Sequence, residues 1–130
     1  MNDATEQSID PARARRELIK SEPAPHPRHD AIVTLSVVFK GKTLRLRYIP
    51  DRDIILTSCL DVYLDTLSSH IDGSIEAISQ TILEDFNDQI IPSWLEVTLS
   101  EDVGSFSHQV RIEDRQPYWK DRGLLDRLES

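Results

Sequence analysis

Apolar residues in the middle of the chain change their spacing twice, and each change marks a change of element. Between Ile32 and Phe39, the residues Val33, Leu35, Val37 and Phe39 alternate with others, the period of a half-buried strand. Lys40-Gly41-Lys42 reads as a short glycine turn, after which Leu44, Leu46 and Tyr48 alternate again. Two alternating runs across a short turn predict a β-hairpin. Ile49-Pro50-Asp51 closes the second strand, because proline has no amide hydrogen to give to a ladder.

The spacing then becomes helical. Leu60, Tyr63, Leu64 and Leu67 share a stripe, with Thr57 or Ser58 as the expected N-cap and Ser68 to Gly73 as a connector. A stronger stripe follows at Ile75, Ile78, Ile82, Leu83, Phe86 and Ile90. Ser74 is its expected cap and Pro92 its stop. Period two returns from Trp94 to Ser100, with Leu95, Val97 and Leu99 on one face. A turn from Glu101 to Ser105 contains Gly104. In the strand from Phe106 to Glu113, residues Phe106, His108, Val110 and Ile112 share a face. This order predicts an α+β fold: a four-stranded antiparallel sheet with two helices on one face, β-β-α-α-β-β. Such a sheet leaves two edges to be paired or blunted.

The ends carry weaker patterns. Asp10 as cap and Pro11 at the first helical position predict a short helix to Lys20. Pro23, Pro25 and Pro27 predict a stiff linker, and Asp121 to Leu128 either a short amphipathic helix or a loose tail. The expected organisation is an arm and linker over residues 1–30, a domain over 31–117 and a tail over 118–130.

Charge narrows the function classes. The 130 residues hold 23 acids against 15 Lys and Arg, a net charge of −8. Fourteen acids and seven bases fall in residues 31–117, so the acidity belongs to the central domain. Nucleic acid is not an expected partner, since phosphate backbones require a basic face. No run approaches the ~18 apolar residues of a membrane span, and the polar N-terminus does not resemble a signal peptide. No membrane partner and a cytoplasmic location are expected. Cys59 is the single cysteine, which rules out an intramolecular disulfide.

Candidate chemistry is sparse. His26 and His29 lie in the proline linker, His70 in a connector and His108 among core residues of the last strand. This is not the converging set that zinc requires, so no metal is expected. Glu84, Asp85 and Asp88 are expected on the solvated side of the second helix, as are Glu101 and Asp102 in their turn. Arg45 and Arg47 form a basic strip on the second strand: solvent-facing edge protection, or a salt-bridged subunit contact or barrel lining.

From Leu44 to Val97 the chain resembles the nitrile reductase family of queuosine biosynthesis, the 7-cyano-7-deazaguanine reductases known as QueF. The carrying residues are Tyr48-Ile49-Pro50-Asp51, then Leu60 with Val62-Tyr63-Leu64. They continue with Thr81-Ile82-Leu83-Glu84-Asp85-Phe86 and Pro92-Ser93-Trp94-Leu95-Glu96-Val97. His108-Gln109-Val110-Arg111-Ile112-Glu113 is similar to the family's last strand. The resemblance implies the tunnelling fold shared with GTP cyclohydrolase I and pyruvoyl-tetrahydropterin synthase. In that fold sheets join edge to edge into a barrel and ligands bind between subunits. A homo-oligomer and a purine- or pterin-like ligand follow as expectations.

The family reaction adds a cysteine thiolate to a nitrile and reduces the adduct with NADPH. Its cysteine loop precedes the second strand, where this chain has Val37 to Thr43 and no cysteine. Cys59 falls in the stretch matching the NADPH motif, and that motif's two lysines are replaced by Ser58 and Asp61. An acid in place of a phosphate-binding lysine reverses the local field. NADPH is therefore not expected as a cofactor, and no catalytic residue is assigned. The family's heterocycle-binding glutamate falls on Glu76, and its neighbouring histidine on Ile75. Glu76 is the candidate ligand anchor, and His70, near it in sequence, a weaker one. The alternatives are a reductase-type enzyme with altered catalytic residues and a non-enzymatic protein-interaction module.

Overall fold

A computed structural model describes residues 10–25, 31–119 and 125. In chain order the elements are α1 (Pro11–Arg16), β1 (Ser21–Pro23), β2 (Val33–Phe39), β3 (Lys42–Ile49), β4 (Asp53–Ile55), α2 (Leu60–His70), α3 (Ile75–Ile90), β5 (Trp94–Val103) and β6 (Phe106–Arg115). The fold is α+β. A four-stranded antiparallel sheet runs in the order β2-β3-β5-β6, and β1 and β4 form a separate two-stranded sheet.

The two hairpins have two-residue loops. Phe39 pairs with Lys42, leaving Lys40 and Gly41 at the turn with φ of 50° and 75°. Two successive positive φ values mark the turn whose twist matches its flanking strands. Val103 pairs with Phe106 around Gly104, φ 60°. These turns lock the register, and register decides which side chains meet the helices. On the helix side, Leu35, Leu46, Val97 and Ile112 form one row, and Val37, Leu44, Leu99 and Val110 the next. Leu44, Leu46, Leu95, Val97 and Leu99 are fully buried against Tyr63, Leu64, Leu67, Ile82 and Phe86. Tyr63 and Phe86 meet edge to face at 5.1 Å, joining α2 to α3.

Helix ends depart from expectation where tertiary contacts override local signals. Neither Thr57 nor Ser58 caps α2: a 3-10 turn over Thr57–Cys59 leads into it, with no side-chain cap. The entry is held instead by the Leu56 amide, which donates to the Lys20 carbonyl at 2.9 Å. α2 also runs on to His70, so the connector is shorter than expected. Ser74 caps α3, accepting from Ala77 N at 3.2 Å. α1 has Asp10 as its cap but stops at Arg16, not Lys20. Its last turn tightens, and Ile19 turns inward to join the core.

Three further expectations are corrected. Asp85 is not solvated: it is 0% exposed and bound by Arg15, Arg16 and Tyr63. The two arginines come from α1, some 70 residues away in sequence, and Tyr63 from α2, so the pattern of α3 alone does not predict them. Arg47 is not edge protection: β3 is a central strand, and Arg47 is buried against Glu96 of β5. Pro23 belongs to β1 rather than to a free linker, paired with Asp53 of β4. Pro27, His26, His29 and, Leu125 apart, the expected helix from Asp121 to Leu128 lie outside the described residues. Among the described residues no helix is long and apolar enough to cross a membrane.

Candidate functional site at the sheet rim

The first turn of α3 overhangs the rim of the large sheet next to edge strand β6. Register places Phe39, Lys42, Glu101 and His108 in one row across β2, β3, β5 and β6, on the helix side. Glu76 comes down onto this row from α3: its Oε2 lies 3.0 Å from His108 Nε2. On the other side of the imidazole, His108 Nδ1 is 3.9 Å from Glu101 Oε2, and Lys42 Nζ is 3.8 Å from Glu101 Oε1. The result is a line of ionisable side chains, Lys42, Glu101, His108 and Glu76, along the rim.

Glu76 is poised as an ionised acceptor. Its own backbone amide, and next the hydrogen bond from His108, hold its carboxyl below the ordinary 4.5. Its side chain is 58% exposed, so solvent reaches the oxygens. A carboxylate offers about four lone-pair sites, and its own amide and His108 occupy only part of them. Such a group can accept two parallel N–H donors from a flat ring.

The rim borders concave surface. A cavity of about 230 Å³ lies under the α2–α3 connector, lined by Lys42 of the charged row with Phe39, Ile71, Gly73 and Ile78 among others. Phe39, Lys40 and Ser68 also line a larger groove of about 520 Å³, which runs along α2 past Asp61, Val62 and Asp65. Glu76 stands beside this concave surface and lines neither hollow.

The histidine that reaches Glu76 is His108, not His70. His70 is exposed at the end of α2, where its Nδ1 lies 2.9 Å from the carbonyl of Thr66, one turn earlier. Nearness in sequence was the wrong guide; the strand alternation of Phe106, His108, Val110 and Ile112, which sets His108 on the helix side, was the usable signal. Cys59 is 7% exposed in the core, and its sulfur accepts from the Lys20 amide at 3.3 Å. Ser58 and Asp61 are exposed. Among the described residues no group of three or more His, Cys, Asp or Glu side chains could hold a metal ion. No family model matches the sequence, and no curated protein matches it either.

Proposed function

We propose that the chain is a tunnelling-fold protein without nitrile reductase activity, which binds a purine- or pterin-like heterocycle through Glu76 where copies of itself meet. The observation that carries this reading is the Glu76–His108 pair at the rim of an unpaired edge strand. A guanine-like or pterin-like ring presents two parallel N–H donors, and an ionised, solvent-facing carboxylate matches them in geometry and charge. His108 fixes the carboxylate and supplies a second polar group to the ring. The sequential strand order with both helices on one face supports the tunnelling fold as its architecture. Cys59 supports the lack of reductase chemistry, because a thiol buried in the core and turned to a backbone amide is not a presented nucleophile.

Thermal unfolding in the presence of guanine, 7-cyano-7-deazaguanine and pterin tests the reading. At least one of them raises the melting temperature, and Glu76→Gln removes the rise by replacing a double acceptor with an amide that also donates. The rise holds near neutral pH and fades as the pH drops through the lowered Glu76 value, below 4.5, where the carboxylate protonates. No rise with any of the three compounds rejects the reading.

A further inference from the structure

The sheet face turned away from the helices carries an arginine group that the heterocycle site does not use. β3 sends Arg45 and Arg47 to this face, β6 sends Arg111, and β5 sets Glu96 and Thr98 between them. Arg45, Thr98 and Arg111 stand opposite one another in a single row across three strands, with Arg47 and Glu96 in the adjacent row. Arg47 takes the carboxylate of Glu96 in a two-pronged pair, Nε to Oε1 at 2.7 Å and Nη2 to Oε2 at 3.0 Å. Arg45 and Arg111 stand off from the same carboxylate at 3.9 and 3.8 Å, beyond hydrogen-bond length. Three guanidinium groups of the described residues thus converge on one carboxylate, on a chain whose net charge is −8.

A second observation lies in the middle of the same row. Thr98 is only 6% exposed, yet its hydroxyl oxygen has no hydrogen-bond partner among the described residues. The buried Nε of Arg45, its register neighbour, has none either. Buried polar atoms without partners are uncommon, because each one forfeits its hydration for nothing. Two guanidinium groups held beyond hydrogen-bond length and an unused hydroxyl side by side are all satisfied by one kind of group, a tetrahedral oxyanion.

We propose that this face binds a phosphate group, with Arg45 and Arg111 donating from opposite sides and the Thr98 hydroxyl donating from below. Tetrahedral oxygens accept from three directions at once, and the guanidinium fork suits them. The Arg47–Glu96 pair holds the frame: it fixes the row beside the site and keeps Glu96 from turning its charge on the ligand. The ligand is free phosphate or a small phosphate monoester, since both present the same group.

Calorimetric titration of the full chain with inorganic phosphate and with glycerol phosphate, at constant ionic strength, tests the site. Saturable binding is expected, at least tenfold weaker in Arg111→Gln and in Thr98→Val. The Arg111 guanidinium is half exposed and makes no hydrogen bond, so its replacement leaves the fold intact. Arg45→Gln provides a second charge variant, expected to weaken binding to the same degree. Glu76→Gln leaves phosphate binding unchanged, which separates this site from the heterocycle site. The tighter of the two ligands identifies the source of the group. Heats no larger than those of sodium chloride, or full-strength binding in Arg111→Gln, overturn the proposal.

Discussion

Asp85 concentrates in one carboxylate most of what ties α1 to the helix pair. Arg15 grips it through Nε at 2.5 Å and Nη2 at 3.1 Å, Arg16 through Nε at 2.8 Å, and the Tyr63 hydroxyl donates at 2.6 Å. Burial, with the neighbouring Asp85 charge adding to it, pushes the Tyr63 phenol far above its usual range, so it stays a donor. The hydrogen bond to Asp85 outweighs burial at Arg15 and holds that guanidinium in its charged form. Charge, not hydrogen-bond count, then sets the cost of breaking the group. Asp85→Asn leaves Arg15 buried without a counter-charge and is expected to cost about 3–5 kcal/mol. Tyr63→Phe leaves both arginines paired with Asp85 and is expected to cost roughly 1.5–3 kcal/mol, a single bond to a charged acceptor. Urea unfolding of the two variants gives the order. A larger loss in Tyr63→Phe than in Asp85→Asn would show that charge pairing is not what holds α1.

At the scale of elements, the end of α3 stores strain. Ile91 follows the helix in the left-handed region, φ 43°, with its amide donating to Asn87 O at 3.1 Å. That conformation disfavours β-branched residues by roughly 1–2 kcal/mol, and Ile91 is exposed enough to bring little burial in return. Ile91→Gly is expected to raise stability by about 1 kcal/mol, after the entropy glycine gives up on folding. Thermal unfolding of this variant checks it, and any net loss contradicts it. Pro92 announced the stop in the sequence, but not the left-handed residue that makes it. The pattern was legible wherever an element owed its existence to its own periodicity. The alternation at Val33, Leu35 and Val37 and the stripe at Ile75, Ile78, Ile82 and Phe86 correspond to β2 and α3. It was not legible where partners are distant in sequence. β1 and β4 are three residues each, too short to show a period, and exist because they pair with each other. The Glu76–His108 contact spans 32 residues and arises from the overhang of a helix on a strand. The resemblance points to Glu76 as a candidate, and the fold alone shows that His108 is the histidine that meets it.

At the scale of the whole molecule, the sheet ends in two edges, β2 and β6, that pair with no other described strand. β2 is the less protected. Its seven residues carry no charge and no proline, the devices that ordinarily keep an edge from pairing with another chain. Its helix-side residues Val33, Leu35 and Val37 are only half buried, while their row partners Tyr48, Leu46 and Leu44 of β3 and Leu95, Val97 and Leu99 of β5 are buried. Val38, on the other side, is 72% exposed. An edge built this way is suited to being covered, and β6 of a second copy, ten residues long, has room for all of β2. Such pairing would bring the rim that holds Glu76 up to a neighbouring subunit, as the heterocycle reading requires. Light scattering at micromolar concentration is expected to give a multiple of 14.9 kDa. Thr34→Lys together with Val38→Lys puts two charges on exposed positions of the edge without touching the core, and is expected to yield a monomer that still folds. A wild-type chain that is monomeric under these conditions removes the subunit contact from the proposed function. An oligomer unaffected by the two lysines moves that contact away from β2.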